Sequence, residues 1–280
     1  PLMNIWIAGA RPRTLPAALT PVLVAVAIAY PKIEIINALL ALIVGLSLQI
    51  AVNYANDYSD GIKGTDEVRV GPTRLVASGL ASADAVKRAA FGAFAIAAAA
   101  GLLLSMRTSL WFLAIGAAAI ISAWRYTGGN NPYGYRGLGE IYVFIFFGLV
   151  ATLGTFYSQT GEVTIEAIMA AISNGAISCA LLAVNNIRDI EGDTKVGKET
   201  LAVKLGDTRA RRFFMLLIFI AIFTSFTVTI FAALGIFPAM KLLNEIKYKR
   251  GRELIEVLGA TGKFQLILGA LISIGALVNI

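Results

Sequence analysis

One stretch of the sequence reads Asn37-Ala-Leu-Leu-Ala-Leu-Ile-Val-Gly-Leu-Ser-Leu-Gln-Ile-Ala-Val-Asn-Tyr-Ala-Asn-Asp-Tyr-Ser-Asp60, an apolar run that ends in polar and acidic side chains. The run does not alternate between apolar and polar residues, as a membrane β-strand would. A helix of roughly 20 apolar residues crosses a hydrocarbon core of ~30 Å. A second run of this kind covers residues 89–104. These runs predict membrane-spanning helices.

The composition of the whole chain supports the same fold class. Of its 280 residues, 58% are hydrophobic and 15% are charged, and the mean hydropathy is +0.76. Soluble domains carry about 25% charged residues. Because so much apolar surface cannot be buried in a water-soluble core, we expect lipid to be the solvent. The prediction is an all-α, polytopic membrane protein in which residues 1–280 form a single domain.

Nine spans can be read from the pattern of apolar runs. They are 14–30, 37–57, 83–104, 109–126, 139–158, 163–187, 211–230, a short one at 231–243, and 263–280. With nine crossings, one face receives 22 of the 24 Lys and Arg residues, all except Lys32 and Arg107. The positive-inside rule makes the rich face cytoplasmic, in the inner (plasma) membrane. The net charge of +7 fits this topology and contact with anionic membrane lipid. Nucleic-acid binding is not expected, because no basic patch is interleaved with aromatic residues on a soluble module.

The region between Arg212 and Lys241 is too short for two ordinary spans. Its 28 residues make about 42 Å of helix, whereas two spans need ~60 Å. Gly235 and Pro238 predict a break there. Either the eighth helix runs on through Lys241–Lys249, or the pair is partly re-entrant.

Cysteine and histidine usage limits the chemistry of any metal site. Histidine is absent and Cys179 is the single cysteine. This excludes His-based metal sites, a disulfide and a Cys-type zinc site. A metal would need oxygen ligands, which favours Mg²⁺.

Two clusters of polar residues follow apolar runs and share one spacing. In the first, Asn56 and Asp60 are four residues apart and Asp66 follows; in the second, Asn185, Asp189 and Asp193 are each four apart. Residues at this spacing lie on one face of a helix. We call these sets the first and the second acidic row. Because carboxylates at the end of a membrane helix are costly, their repetition at two span ends indicates function.

The chemistry that suits two facing acidic rows is the binding of cations. Carboxylate rows repel one another unless positive charge lies between them, and Mg²⁺ is commonly held by one or two carboxylates plus phosphate oxygens of a substrate. A diphosphate bridged by Mg²⁺ would fill the gap. Lys63, Arg74, Lys195 and Lys198 would add positive charge that stabilises a departing pyrophosphate.

Both rows resemble the paired aspartate-rich motifs of the intramembrane aromatic prenyltransferases, and among them those of menaquinone synthesis. The similar segments are Gly9–Pro16, Asn53–Asp66 with Gly71–Arg74, Tyr126–Tyr135 with Gly137–Glu140, Asn185–Leu205 and Gly251–Ile255. The resemblance implies nine helices around a central cavity, with cytoplasmic cap loops at about 57–82 and 188–210. It implies that Asn56, Asp60, Asp66, Asn185, Asp189 and Asp193 hold Mg²⁺ and that Asn56 and Asn185 also contact the diphosphate.

The resemblance also implies the reaction and its partners. A polyprenyl diphosphate would ionise, and 1,4-dihydroxy-2-naphthoate would attack the cation through its carboxyl-bearing carbon and lose CO₂. Lys63 and Tyr126 join the aspartates as candidate catalytic residues, and Arg13, Tyr133 and Tyr135 are candidates for binding the acceptor. A lipid-facing opening is expected near Phe144, Phe146, Phe147 and Phe156.

Other functions remain open from the residues alone. The acceptor would be 4-hydroxybenzoate, homogentisate, haem B or a glyceryl phosphate in related enzymes. A cation-coupled transporter is a different class, but its polar ligands would lie in broken helices near the bilayer midplane. Here the carboxylates lie at helix ends, which favours the enzyme.

Overall fold

The computed structural model describes residues 2–64 and 74–278, and in that part the chain is helical without a β-strand. The all-α prediction is therefore confirmed. Ten helices follow one another in this part of the chain: α1 Leu2–Ala10, α2 Pro16–Ile28, α3 Ile35–Ile62, α4 Ala83–Arg107, α5 Trp111–Arg125, α6 Gly139–Thr160, α7 Ile165–Lys195, α8 Leu201–Phe226, α9 Ile236–Tyr248 and α10 Leu254–Leu277.

Several of these helices are suited to a membrane. Five are long and apolar enough to cross it, namely α3, α4, α6, α7 and the segment Gly251–Leu277 that contains α10, and α2 and α5 are shorter apolar helices. Each predicted span overlaps one of α2 to α10. The protein is a multi-span membrane protein, and the number of nine crossings stays a prediction.

The region between Arg212 and Lys241, which is too short for two ordinary spans, contains both α-helix and 3₁₀-helix. After α8 ends at Phe226, a 3₁₀-helix covers Ile230–Gly235 and α9 begins directly behind it. The break in the helix lies at residues 227–229, before the predicted positions, and Gly235 marks only the change from the 3₁₀-helix to α9. Pro238 lies in the first turn of α9, where its missing N–H costs no hydrogen bond. Because a 3₁₀-helix rises about 2.0 Å per residue, residues 230–248 extend over about 31 Å. Helix α9 therefore continues past Lys241 to Tyr248. This agrees with the first of the two alternatives, in which the eighth helix runs on through Lys241–Lys249.

Two of the long helices, α7 and α8, begin at side-chain caps, and α3 and α7 run beyond the predicted spans. The Thr164 hydroxyl accepts from the backbone N–H of Ala167 at 3.3 Å before α7 begins, and Thr200 caps α8 in the same way. Residues 57–62 are the last turns of α3, and most of 188–210 belongs to α7 and α8. The predicted cap loops are thus partly helical.

Packing joins the helices that carry the two acidic rows to their neighbours in a similar way. The most extensive contacts are α3 with α4 and α7 with α8, while α10 packs on α2 and α7. Helix α6 contains a π-helical stretch, Phe144–Val150, in which Gly148 meets Gly175 of α7 so closely that a Cβ would overlap the backbone. This contact brings α6 and α7 together about three helical turns before Asn185, the first residue of the second acidic row.

The Gly148 contact is tested by stability. Gly148→Ala should destabilise the detergent-purified protein by about 1–3 kcal/mol, because the added methyl overpacks the α6–α7 contact. Gly154→Ala is the control on the same helix, since nothing lies within 4 Å of its Cβ position. There, alanine should be neutral or stabilise by about 0.5–1 kcal/mol. Thermal unfolding measures both, and an equal rise in melting temperature for the two variants would contradict the close contact.

Candidate active site

The ends of α3 and α7 bring the two acidic rows to the same place. The Lys198 ammonium lies 3.8 Å from Asp60 Oδ2 and 4.0 Å from Asp193 Oδ1. These two carboxylate oxygens are therefore at most 7.8 Å apart. All three side chains are largely buried, so water screens their charges weakly. The two rows face each other across one ammonium group.

Asp60 is the most heavily contacted member of the first acidic row. It is 1% exposed, the Tyr135 hydroxyl donates to its Oδ1 at 2.6 Å, and Arg74 lies 3.8 Å from its Oδ2. The Lys63 and Lys198 ammoniums lie 5.0 and 4.9 Å from the centre of the Tyr135 ring. Such distances allow cation–π attraction. Tyr135 is thus held at the first acidic row, and its predicted role in binding the acceptor stays a prediction.

Lys63 lies near Asp60 and also hydrogen-bonds to the segment that follows α5. Its ammonium donates to the backbone oxygens of Thr127 at 2.6 Å and Gly129 at 3.1 Å. Burial lowers the pKa of Lys63, Asp60 opposes that shift, and Lys198 adds to it. Its contacts indicate that Lys63 fixes the segment after α5 against α3.

Asn56 of the first acidic row and its neighbour Asp57 are held by backbone and side-chain groups of other segments. Asn56 Oδ1 accepts from the Thr127 hydroxyl at 2.8 Å. Asp57 accepts from the backbone N–H groups of Leu75 at 2.9 Å and Val76 at 3.1 Å, which holds Arg74 beside the row. Asp66 lies outside the described residues, so its predicted role as a metal ligand stays a prediction.

Asp189 of the second acidic row is paired with a cation of its own helix. Arg188 forms two hydrogen bonds of 2.7 Å to the oxygens of Asp189. Arg188 also lines the cavity below the rows, as does Asn185, and its Nη1 is buried without a hydrogen-bond partner in the described part of the chain. Lys195, on the last residue of α7, is exposed. Arg188, rather than Lys195, presents positive charge to the cavity.

A cavity of about 870 Å³ extends from the acidic rows into the helices. Its wall on α3 reaches from Ala41 to Asp60, which is roughly 28 Å of helix. That wall is polar near the rows, at Gln49 and Asn53, and apolar farther away. The remaining walls come mainly from α5, α6 and α7. The cavity thus joins a charged end to a long apolar interior.

One side of this cavity is poorly covered. Both α5 and α6 line it, but α5 packs on α3 and α4, and the described residues show no extensive packing of α5 on α6. At one end of this gap, the Tyr133 hydroxyl donates to the Ser122 backbone oxygen at 2.8 Å. At the other end, the rings of Phe112 and Tyr157 have centroids 6.0 Å apart.

The predicted aromatic lining of a lipid-facing opening is half correct. Phe146 and Phe147 line the cavity. Phe156 is buried among small residues of α2 and α7, and Phe144 packs against Gly175. Phe144 and Phe156 therefore take part in contacts between helices.

The candidate acceptor residues fall into two groups. Arg13 and Tyr133 line the cavity, as a role with the acceptor requires, and so does the candidate catalytic residue Tyr126. Tyr133 stacks on Tyr142 with ring centroids 3.9 Å apart and meets Tyr126 edge-on at 5.5 Å. Tyr135, described above, contacts Asp60. The tyrosines therefore form an aromatic wall next to the acidic rows.

The residues present fit a magnesium ion that arrives with a phosphate ligand. Asp60 and Asp193 supply hard oxygen ligands on either side of a position that already attracts positive charge. In residues 2–64 and 74–278, no group of three or more acidic or cysteine side chains is placed to hold an ion alone. Mg²⁺ commonly takes one or two carboxylates and completes its shell with substrate oxygens and water. Cys179, whose thiol donates to the Glu140 backbone oxygen, takes no part.

Three residues of the site were not predicted from the sequence. Arg188 stands inside the second acidic row, so its position was a usable signal. Thr127 hydrogen-bonds to Asn56, 71 residues away along the chain, and Asp57 hydrogen-bonds to Leu75, 18 residues away. The spacing of residues in the sequence does not predict such contacts.

Comparison with known proteins supports this picture. The model of the UbiA prenyltransferase family matches residues 18–253. The chain is 46% identical over 271 residues to a 1,4-dihydroxy-2-naphthoate octaprenyltransferase of Mycobacterium tuberculosis, covering 94% of this chain and 93% of the relative. It is 36% identical over 258 residues to the protein of that name from Escherichia coli, covering 87% and 84%.

Solved structures have the same fold. A UbiA homolog from Archaeoglobus fulgidus bound to GPP and Mg²⁺ superposes with a TM-score of 0.71 at 15% identity, covering 98% of this chain and 99% of that one. A digeranylgeranylglyceryl phosphate synthase gives 0.66 at 16% identity, covering 99% of each chain. The chain belongs to the UbiA prenyltransferase family. The family resemblance of its motifs is confirmed.

The position of Lys198 between the rows yields a test that needs no turnover. Lys198→Met leaves Asp60 and Asp193 without the shared ammonium, so the variant should melt several degrees below the wild type without divalent cations. Mg²⁺ with inorganic pyrophosphate should restore more stability to the variant than to the wild type, since ligands stabilise the state that binds them. Lys195→Met, at an exposed lysine, is the control and should change neither value. Equal melting of both variants in all conditions would contradict the bridging position.

Proposed function

We propose that this protein transfers a polyprenyl group from polyprenyl diphosphate to 1,4-dihydroxy-2-naphthoate, with loss of CO₂ and dependence on Mg²⁺. The observation that carries the proposal is the pair of acidic rows that share Lys198 at the mouth of a long apolar cavity. A transporter is disfavoured, since the carboxylates lie at one end of the helices.

The diphosphate of the donor would lie between the rows. Arg74, Lys198 and Arg188 supply positive charge at this place, and Asn56 and Asn185 line the cavity directly below it. When bound, Mg²⁺ supplies Lewis-acid stabilisation of the charge that develops on the departing pyrophosphate. The protein's own cations contribute in the same direction, because they are fixed before the reaction begins.

The apolar part of the cavity would hold the prenyl chain and protect the cation. Ionisation of the allylic C–O bond leaves a delocalised carbocation, which water would quench. The wall near the rows consists of tyrosine rings, Tyr126 and Tyr133 among them, whose faces attract positive charge. The gap between α5 and α6 would let a long isoprenoid tail extend into lipid.

The acceptor would enter the same cavity beside the aromatic wall. Its carboxylate-bearing carbon forms the new C–C bond to the carbocation, and loss of CO₂ then returns the electron pair of the broken C–C bond to the ring and restores aromaticity. Arg13 is the cation placed to attract the acceptor carboxylate. The acceptor is proposed from the names of the curated relatives, and other aromatic acceptors are outcomes of the test.

The proposed location is the inner (plasma) membrane, with the active site at the cytoplasmic face. This orientation rests on the positive-inside rule. The rows and their surrounding cations lie at the helix ends that are joined by the basic loops. A water-soluble diphosphate product would therefore leave into the cytoplasm.

Substitution of the rows tests the reaction. Asp60→Asn and Asp193→Asn should each lower turnover by about 100-fold or more, because each removes a carboxylate that would hold the Mg²⁺ needed to stabilise the leaving group. The assay uses purified protein, Mg²⁺, a radiolabelled prenyl diphosphate and dihydroxynaphthoate, with CO₂ release as a second readout. Asp84→Asn, at an exposed aspartate in the first turn of α4, is the control and should keep wild-type activity.

A panel of acceptors completes the test. Prenyl transfer to 4-hydroxybenzoate or homogentisate in preference to dihydroxynaphthoate would replace the proposed acceptor. Near-normal activity in both row variants would remove the proposed metal site.

A further inference from the structure

Glu140 and Asn186 form a buried polar pair that the proposed reaction has not used. Glu140 is 6% exposed and Asn186 is 9% exposed. The Asn186 side-chain Nδ2 donates to Glu140 Oε1 at 3.1 Å, which joins the start of α6 to α7. Buried polar groups of this kind are costly unless they are satisfied.

The chemistry of the pair determines the orientation of the amide. An ionised carboxylate only accepts hydrogen bonds, whereas an asparagine side chain has one donating and one accepting end. With its nitrogen held by Glu140, Asn186 turns its oxygen away from Glu140. Asn186 lines the cavity, together with Tyr126 and Tyr142. The pair therefore presents a fixed hydrogen-bond acceptor on the cavity wall.

Two contacts keep Glu140 in place. Its backbone oxygen accepts from the buried Cys179 thiol at 3.0 Å. The neighbouring Gly139 lies close against the Tyr126 ring, since a Cβ there would stand 3.1 Å from that ring and 3.5 Å from the phenol oxygen. Glu140 Oε2 is buried and has no hydrogen-bond partner among the described residues. A carboxylate held in this way is costly in a membrane protein, which points to a functional role.

We infer that Asn186, oriented by Glu140, accepts a hydrogen bond from a ring hydroxyl of the aromatic acceptor and so selects hydroxylated rings. The inference rests on the proposed function and names a specificity-determining residue for it. A hydrogen bond from the hydroxyl raises the electron density of the ring that attacks the carbocation. Glu140 is a positioning residue, because it acts through Asn186.

The test compares acceptors that differ only in one hydroxyl. Wild-type protein, Mg²⁺ and one radiolabelled prenyl diphosphate are assayed with dihydroxynaphthoate and with each of its two mono-methyl ethers. Loss of one hydrogen bond to a buried polar group corresponds to about 10–100-fold in kcat/KM, so the wild type should discriminate against one ether by that factor. In Asn186→Leu this ratio should fall to about 3-fold or less on the same physical basis, while the KM for the donor stays unchanged.

Glu140→Gln should act in the same direction but less strongly. A glutamine amide can also donate a hydrogen bond to the asparagine oxygen, so the Asn186 side-chain amide could rotate by about 180° and exchange its nitrogen and oxygen positions. Asn174→Leu is the matched control. Asn174 is buried on α7 and donates to Thr152 of α6 at 3.2 Å, so its loss should lower stability and leave the acceptor ratio at the wild-type value.

The outcomes separate this inference from the proposed function. An active Asn186→Leu variant that keeps the full wild-type ratio would overturn the inference and leave the reaction standing. Equilibrium binding of the acceptors, measured without donor, gives an independent readout. If binding shows the hydroxyl preference and its loss in Asn186→Leu while no prenyl transfer occurs, the inference holds and the proposed reaction falls. If the wild type neither binds the acceptors with a hydroxyl preference nor transfers to them, both fall.

Discussion

The central constraint in this protein is the repulsion between two groups of carboxylates that the fold brings to one place. Asp60 and Asp193 stand at the ends of different helices, buried, with oxygens at most 7.8 Å apart. Negative charges at that separation in a poorly screened region raise the energy of the fold unless cations lie among them. The protein supplies these cations itself, as Lys198, Arg74 and Arg188. The same arrangement leaves a place for metal-bound diphosphate, so the interaction that stabilises the cap also prepares the chemistry.

The cavity below the rows changes character along its length. Near the rows its α3 wall carries Gln49 and Asn53, which hold the segment before α2 through Thr14 and the Ala10 backbone oxygen. Farther in, the wall is apolar and one side is covered by little helix packing. A prenyl diphosphate likewise has a charged head, which matches the polar end of the cavity, and an isoprenoid tail, which matches its apolar end. Because the polar wall residues are held by hydrogen bonds, they keep their positions when a substrate displaces water.

Local spacing predicted some of this site and missed other parts. The four-residue interval placed Asn56 and Asp60 on one helix face, and the observed end of α3 agrees. The interval could not show that Tyr135 reaches Asp60 from 75 residues away or that Lys63 is engaged by backbone oxygens. It also gave no sign that Phe156 faces the interior.

Neighbouring residues are enough to predict a helical membrane protein, the positions of its apolar runs, and the oxygen-bearing side chains at the ends of two of them. These features are local: hydrophobic length and helical period are written in neighbouring residues. The tertiary structure decided which cations meet which carboxylates, that the rows share one ammonium, and that Glu140 orients Asn186. Those facts depend on contacts between distant helices, because burial and packing alone set the distances that give charges and hydrogen bonds their strength.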